Sequence, residues 1–412
     1  MSRESPRDGV TSVWASHAAF ATLGVMNASW AARIPQVKAQ LGLDASELGL
    51  VLLATAVGSL IALPGSGPVV VRLGSRRALR AAALLAAAGV VVIAFGSRGS
   101  TPAVAAGLFV MGFAAGLWDV AINVQGAVVE QRLNRPLMPR FHAWYGVGTV
   151  IGALAGVAMV AAHVSVTVDL LLVAGAVAVS LWAASRRFVS DRAHLEPHEH
   201  GAARGHNAWR ERRTVLIGIL VLAFALTEGS GNDWISVSMI QGHHVAPVLG
   251  TLAYGLFLAA LTVGRWHGPY VLERFGRVRT LRLLVVIAVA GLLVFVLTPW
   301  APLAYLGVVL WGAGASLGFP IGMSAGADQP ALAAPRVGVI TSIGYVAFLG
   351  GPPLIGLFAS WLGLPHAIAV VILPLAPAAL IATVAAPLAR GGDGAPAAGV
   401  RPATSAAGGP ER

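Results

Sequence analysis

The amino-acid sequence predicts an all-α integral membrane protein with 12 transmembrane helices in two six-helix bundles. Composition is the first reason, because 57% of the residues are hydrophobic and 11% are charged, whereas about 25% of a soluble protein is charged. The second is a series of apolar runs near the roughly 20 residues that a helix needs to cross a bilayer. The third is that landmarks of the first half recur about 200 residues later, which is typical of two homologous bundles.

The basic residues indicate how the chain is oriented. All but three of the 28 Lys and Arg residues lie in alternate inter-helix segments, and the exceptions are Arg33, Lys38 and Arg98. Because cytoplasmic loops carry the excess of Lys and Arg, this pattern predicts that both termini are cytoplasmic. The same pattern excludes nucleic-acid binding as the reason for the net charge of +11. The expected surroundings are therefore a lipid bilayer.

The apolar runs define the predicted spans. The run that begins near residue 13 has no convincing small-residue cleavage site, so we interpret it as a retained first helix rather than a signal peptide. The predicted spans cover residues 13–32, 47–71, 78–97, 102–129, 142–162, 167–185, 214–235, 247–267, 281–298, 301–324, 338–362 and 365–388.

A polar, charge-rich segment separates the sixth and seventh spans. We expect an N-terminal bundle at residues 1–185, a cytoplasmic linker at 186–213, a C-terminal bundle at 214–390 and a disordered cytoplasmic tail at 391–412. His and Glu residues in the linker allow a metal site, but a solvated, mobile segment is the favoured interpretation. No cysteine is present and no nucleotide-binding motif is found. We expect neither enzymatic activity nor a cofactor or metal.

The fourth predicted span contains an unusual acid. Asp119 lies well inside this apolar run, where a carboxylate costs at least about 2.5–3.5 kcal/mol and persists only beside a wet cavity or a partner. Asn123 lies one helical turn further on, and Glu130 returns close to the same face. We therefore expect Asp119 to couple transport to protons and to bind substrate together with Asn123. The alternative is a hydrogen bond between helices that only stabilises the bundle.

The seventh predicted span carries three more polar groups. Glu228 and Asn232 share one helical face, and Glu228 is the second candidate for proton coupling, with a structural hydrogen bond as its alternative. Asp233 lies near the outer mouth. It either contacts substrate or forms an ion pair with Arg33, which is one of the few basic residues on that side.

Matched positions in the two halves suggest a substrate site. Asn27–Trp30 in the first span corresponds to Gly231–Trp234 in the seventh, and Tyr145 corresponds to Tyr345. Tryptophan near a span end is also a common interfacial anchor, so both roles stay open for Trp30. The expected substrate-binding residues are Asn27, Trp30, Asp119, Asn123, Tyr145, Asn232 and Tyr345.

Two copies of one loop carry a family resemblance. Gly67–Arg77, with the spacing G-x-x-x-x-R-x-G-x-R-R, follows the second span, and Tyr270–Arg277 follows the eighth. Both resemble the loop between helices two and three of the major facilitator superfamily. The resemblance covers nearly the whole chain. It implies two bundles around a central cavity lined by spans one, four, seven and ten, and alternating-access transport of a small-molecule substrate.

Shorter motifs indicate a branch of that superfamily. Ala28–Pro35, Gly116–Asp119, Pro139–Ala143 and Asp233–Trp234 look like segments of the YbjJ-type bacterial inner-membrane permeases, which are related to fucose/proton symporters. This resemblance implies location in the bacterial cytoplasmic (inner) membrane and a small polar solute such as a sugar.

The Asp119-x-x-x-Asn123 pair is similar to the Glu-x-x-x-Asn of the fucose permease's fourth helix, where the acid is tied to proton and sugar handling. This similarity implies symport with protons. Two positions depart from the pattern: Val71 stands where the superfamily usually has aspartate, and Ala31 stands at the position of the fucose permease's first-helix acid. A coupling scheme that uses both of those acids is therefore not transferred.

Charged residues at the predicted cytoplasmic ends are candidates for an ion-pair gate. We expect them to pair when that side is closed and to separate when it opens. The expected gating residues are Arg72, Arg76, Glu130, Arg274, Arg277 and Asp328.

Two alternatives stay open beside proton-coupled uptake by a monomer. One is export of a small amphipathic metabolite by proton exchange, although the fifth span lacks the proline of the Gly-Pro motif found in drug antiporters. The other is a transporter-like sensor or scaffold that moves no solute. Flux measurements in proteoliposomes separate these alternatives.

Overall fold

The structure is a computed structural model that describes residues 6–133, 137–189, 207–329 and 332–388. Within these ranges the regular elements are all helical. The N-terminal half contains six helices: α1 (Pro6–Leu41), α2 (Ala45–Leu73), α3 (Ser75–Gly96), α4 (Thr101–Leu133), α5 (Met138–Ala161) and α6 (Val166–Ser185). Most of the predicted linker and all of the predicted tail lie outside the described residues.

The C-terminal half begins after a short 3₁₀ turn at Ala208–Arg210. Its helices are α7 (Arg212–Gly242), α8 (Pro247–Leu297), α9 (Ala301–Ala315), α10 (Gly318–Gly326), α11 (Ala333–Leu362), α12 (Leu364–Ile368) and α13 (Ile372–Ile381). Further 3₁₀ turns at Ala369–Val371 and Ala382–Ala385 continue the last two helices.

Ten helical segments of the described chain are long and apolar enough to cross a membrane, so the protein is an all-α integral membrane protein. The long helix α8 counts once among them, although its backbone breaks at Gly276 and it spans the eighth and ninth predicted spans. Helix α1, with 36 residues, falls outside the ten. The total of 12 spans therefore stays a prediction.

The repeated loop has the same backbone conformation in both halves. Gly74, between α2 and α3, has φ 79° and ψ 152°, and Gly276, which breaks α8, has φ 71° and ψ 167°. Glycine adopts a positive φ without steric cost, whereas other residues are strained there. The glycine at each copy of the loop is therefore required by the turn itself.

Small residues allow the helices within each half to approach closely. Gly58 of α2 packs against the backbone of Phe109 in α4, and Gly148 of α5 packs against the backbone of Ala21 in α1, with no space for a side chain at either glycine. Close approach of this kind is how helices associate in lipid, where van der Waals contact replaces hydrophobic exclusion from water.

The two halves contact each other mainly toward their predicted outer ends. The Ser46 hydroxyl at the start of α2 donates to the Gly356 carbonyl of α11 at 3.1 Å. Helix α5 packs along α8 from Gly146, beside Thr262, to the level of Gly156. By contrast, α4 packs on α2 and α3, and α10 packs on α7 and α11. The space between the halves is thus closed at the outer ends, where α2 meets α11.

Candidate functional site

Asp119 and Asn123 form a polar pair on α4. The Asn123 side-chain amide donates to the Asp119 carboxylate at 3.1 Å and to the Asp119 carbonyl at 2.8 Å. Both side chains are partly exposed, although Trp118 and Ile122 beside them are buried. Asp119 lies within electrostatic range of Tyr345 on α11, in the opposite half. The pair therefore faces the space between the halves.

Tyr145 on α5 links the polar groups of several helices. Its hydroxyl accepts a long hydrogen bond, 3.4 Å, from the side-chain amide of Asn27 on α1. Asp119, Glu228 and Arg265 all lie within electrostatic range of its phenol. Polar groups of α1, α4, α5, α7 and α8 thus converge between the two halves, and Tyr345 of α11 joins them.

Glu228 is paired with a residue that sequence reasoning missed. An Arg265 guanidinium nitrogen donates to the Glu228 carboxylate at 2.6 Å, and its Nε donates to the Ser316 carbonyl at 3.2 Å. The side chains of Glu228 and Arg265 are 20% and 28% exposed, so water or a solute can reach the pair. His142 on α5 is exposed and lies within electrostatic range of Arg265.

The distribution of basic residues in the sequence placed Arg265 in a cytoplasmic segment between helices, and the structure corrects this placement. Arg265 lies inside α8, eleven residues before the break at Gly276, which is about 16 Å along the helix. The apolar run of the eighth span extends past Arg265 to residue 267. The sequence therefore did contain a signal for an ion pair within the membrane, because Arg265 falls inside the eighth predicted span and Glu228 falls inside the seventh.

Asn232 and Asp233 lie one turn beyond Glu228 on α7, and both are partly exposed. The side-chain amide oxygen of Asn232 is buried and has no hydrogen-bond partner among the described residues. Asp233 lies within electrostatic range of Tyr254 on α8.

The predicted partnership of Asp233 with Arg33 is wrong. Arg33 is 2% exposed, and its Nε donates to Asp169 in the first turn of α6 at 2.5 Å. A second nitrogen of the same guanidinium donates to the Val164 carbonyl at 3.1 Å. Arg33 therefore joins α1 to α6 within the N-terminal half.

The two matched tryptophans are core residues in this structure. Trp30 is 6% exposed and Trp234 is fully buried. Both indoles are buried in this conformation, and substrate binding by Trp30 stays a prediction.

The candidate gating residues separate into two sets. In the C-terminal half, Asp328 accepts hydrogen bonds from Arg277 at 2.7 Å and from Arg213 at 2.9 Å. Burial alone would raise the pKa of the Asp328 carboxyl, but the two guanidinium groups outweigh burial and hold its pKa below the ordinary value. Arg274 donates to the hydroxyl of Tyr270 on its own helix. Sequence reasoning missed Arg213, which also donates to the backbone carbonyls of Val384 and Ala386.

In the N-terminal half, Glu130 caps the next helix. Its carboxylate accepts the backbone N–H groups of Leu137 and Met138 at 2.6 and 2.8 Å, at the start of α5. Arg76 donates to the carbonyl of Phe188 at 2.6 Å, and Arg72 is exposed. Each of these contacts joins residues of the same half, and pairing between the halves stays a prediction.

Comparison with known proteins gives a family for the chain. The Major Facilitator Superfamily profile matches residues 15–348. The chain is similar to an uncharacterized MFS-type transporter of Yersinia pestis, with 29% identity over 87% of this chain and 91% of the relative. It is also similar to an uncharacterized transporter of Sinorhizobium fredii, with 30% identity over 83% of this chain and 89% of the relative. A third relative, Membrane protein MosC of Rhizobium meliloti, is 29% identical, with 85% and 84% of the two chains covered.

Solved structures share the fold at low sequence identity. A bacterial homologue of the lysosomal transporter Spinster, in an inward-facing conformation, has a TM-score of 0.75 and 12% identity, with 93% of this chain and 98% of that chain covered. A variant of the nucleoside transporter NupG has a TM-score of 0.74 and 13% identity, with 92% and 99% covered. The E. coli fucose:proton symporter FucP has a TM-score of 0.62 and 14% identity, with 91% and 98% covered.

The finer resemblance to YbjJ-type permeases stays a prediction, because the named relatives carry no such description. The family assignment itself rests on a profile that covers most of the sequence, on relatives described as transporters over more than four-fifths of the chain, and on an all-helical fold with a polar site between two halves. The chain belongs to the major facilitator superfamily of membrane transporters.

Proposed function

We propose that the protein is a secondary active transporter that moves a small polar solute across the bacterial cytoplasmic membrane by proton-coupled alternating access. The observation that carries this proposal is Asp119, an acid deep in α4 that faces the space between the halves. Its hydrogen-bond partner among the described residues is the amide one turn along the same helix. A carboxylate without a cationic partner in the membrane marks a functional site by default.

The chemistry of Asp119 supports coupling. When protonated, the carboxyl donates one hydrogen bond and still accepts others; when ionised, it only accepts. The ionised form prefers the conformation in which the cavity is hydrated, because a charge loses most on leaving water. Proton occupancy therefore has a different free energy in the two conformations, and a ligand shifts an equilibrium only through such a difference.

The other groups around Asp119 are suited to a solute that carries hydroxyl groups. Asn27, Asn123 and Asn232 supply amide donors and acceptors, and Tyr145 and Tyr345 supply phenol groups. Among proteins of similar fold, FucP is described as a fucose:proton symporter and NupG as a nucleoside transporter. A sugar or a nucleoside is therefore the first class of solute to test.

Closure of the halves at the outer ends supports alternating access. If both termini are cytoplasmic, as the distribution of basic residues predicts, this conformation opens toward the cytoplasm. In this conformation the candidate gating residues of the two halves are separated. As the halves approach, Glu130 and Asp328 would exchange their present partners for charged residues of the opposite half. One monomer contains both halves and is the proposed working unit.

The test begins with purified protein and a thermal-shift screen of sugars and nucleosides. Uptake of a stabilising solute is then measured in proteoliposomes under an imposed pH gradient. Asp119→Asn should lose accumulation against the solute gradient while keeping counterflow exchange, because the amide preserves shape and hydrogen bonding but cannot take up the proton. Glu47→Gln, at an exposed acid in the first turn of α2, is the matched control and should accumulate like the wild type, because glutamine can keep the hydrogen bond to the N-cap. Undiminished accumulation by Asp119→Asn would contradict a coupling role for Asp119.

A further inference from the structure

The middle of α7 exposes only a narrow stripe. Between Leu222 and Ile240, the partly exposed residues are Glu228, Gly229 and the adjacent pair Asn232 and Asp233, and the remaining residues are buried. Helix α7 packs on α8 to α13 within its own half and on α1 of the other half. Glu228, like Asp119, lies within electrostatic range of Tyr145, and Tyr254 of α8 lies within electrostatic range of both acids of the stripe. From these shared neighbours we place the stripe on the space between the halves.

The three acids of this space differ in their partners. Glu228 has Arg265 at 2.6 Å, so its negative charge is balanced. Asp119 has the Asn123 amide. Asp233 has neither an ion pair nor a hydrogen bond to any described residue.

The titratable groups around Asp233 supply no balancing charge. Tyr254 of α8 lies within electrostatic range of its carboxylate and is 3% exposed. Arg33 of α1 is held by Asp169, and Tyr345 of α11 lies near Asp119 instead. Tyr305 of α9 donates to a backbone carbonyl.

The remaining helices around α7 do not change this result. His366 of α12 is exposed, and among the described residues no side chain of these helices forms an ion pair with Asp233. On α7 itself, Glu228 is the nearest acid and is already paired. Helices α10 and α13 contain no titratable residue.

We propose that Asp233 is a second proton-binding site and that Glu228, held by Arg265, is not one. A carboxylate at membrane depth is costly unless water or a partner stabilises its charge, and no described residue forms an ion pair or a hydrogen bond with Asp233. A metal ion would require several ligands, and no group of three or more acids and histidines is assembled among the described residues. A proton requires one oxygen. The inference rests on the proposed function, because it assigns a second binding site to the proton that is proposed to drive transport.

This assignment gives each half one proton-binding site, which is Asp119 on α4 in the N-terminal half and Asp233 on α7 in the C-terminal half. It also gives Glu228 a different role, which is to hold the Arg265 guanidinium in place beside His142. Protonated Asp233 has an O–H group to donate. The side-chain amide oxygen of Asn232, on the same stripe, is an acceptor without a hydrogen-bond partner among the described residues.

Infrared spectroscopy tests this directly, since a protonated carboxyl has a C=O stretch that a carboxylate lacks. Full-length protein in lipid is titrated with pH, and the protonated-carboxyl bands of the wild type are compared with those of Asp119→Asn, Asp233→Asn and Glu228→Gln. We expect each Asp→Asn variant to lose one titrating band and Glu228→Gln to lose none. Asp233→Glu should restore a band at a shifted frequency, which separates loss of the group from loss of the fold.

The outcomes distinguish this inference from the proposed function. If Asp233→Asn keeps every band, the second proton-binding site is refuted. If Glu228→Gln loses a band, the claim that Glu228 binds no proton is refuted. Neither outcome affects Asp119. If Asp119→Asn keeps every band and Asp233→Asn loses one, the second proton-binding site stands and the proposed role of Asp119 fails.

Discussion

The buried pair of Arg33 and Asp169 allows a prediction with a definite magnitude. Asp169→Asn removes the negative charge and leaves a guanidinium that is 2% exposed with no compensating charge from its former partner. Removing one member of a buried ion pair costs about 3–5 kcal/mol, because the remaining charge stays desolvated. The hydrogen bond from Arg33 to the Val164 carbonyl, at 3.1 Å, is present in both proteins and therefore does not reduce this difference.

The assay is equilibrium unfolding of the purified protein in mixed detergent micelles. Asp44→Asn is the matched control, because Asp44 is an exposed N-cap of α2 and asparagine caps a helix about equally well. We expect the control to lie within about 0.5 kcal/mol of the wild type. The double variant Arg33→Met with Asp169→Leu should recover most of the loss, because a well-packed apolar pair of similar volume is often neutral or stabilising. If Asp169→Asn lowered the free energy of unfolding by less than about 1 kcal/mol, a buried ion pair inaccessible to water would be refuted.

Three further predictions concern the gate, the acid limit of stability and helix packing. Glu130→Arg should change the accessibility of cysteine probes at both mouths while substrate affinity of the open site is preserved; unchanged labelling at both mouths would exclude a gating role. The pKa of Asp328 is lowered from 3.8 in the folded protein, so its contribution to stability is complete above pH 3.8 and is lost as the pH falls through the lowered value. The melting temperature of Asp328→Asn should therefore fall less steeply than that of the wild type as the pH is lowered below 3.8. Gly112→Ala should destabilise by about 1–3 kcal/mol, because a Cβ would collide with the Thr55 backbone, whereas Gly65→Ala, which faces open space, should be neutral in the same unfolding assay.

Much of the fold follows from local signals in the sequence. The apolar runs predict the helices, and the repeated loop predicts matching turns, which Gly74 and Gly276 adopt with nearly equal backbone angles. The deep acid on α4 was visible because a carboxylate in an apolar run is costly. Helical spacing and the internal repeat singled out Asn123, Tyr145 and Tyr345, which lie within hydrogen-bond or electrostatic range of Asp119; their role in substrate binding stays a prediction.

The partners of the charged residues were not predictable, because they depend on which helices become neighbours. Arg33 has an acid of its own half available on α6, 136 residues away in the chain, and nothing in the sequence ranks Asp169 above Asp233. Arg265 lies in both an apolar run and a basic segment, so its depth depends on where α8 breaks. Glu130 reaches backbone N–H groups of α5, and backbone donors leave no pattern in a sequence.

Proton movement driven by the solute tests the central claim most directly. Vesicles with a pH-sensitive dye inside are given a gradient of the transported solute and no imposed pH gradient. We expect the wild type to move protons together with the solute and Asp119→Asn to move solute by exchange without any change of internal pH. Solute-driven proton movement that persists in Asp119→Asn, or solute flux by the wild type without proton movement, would contradict the account.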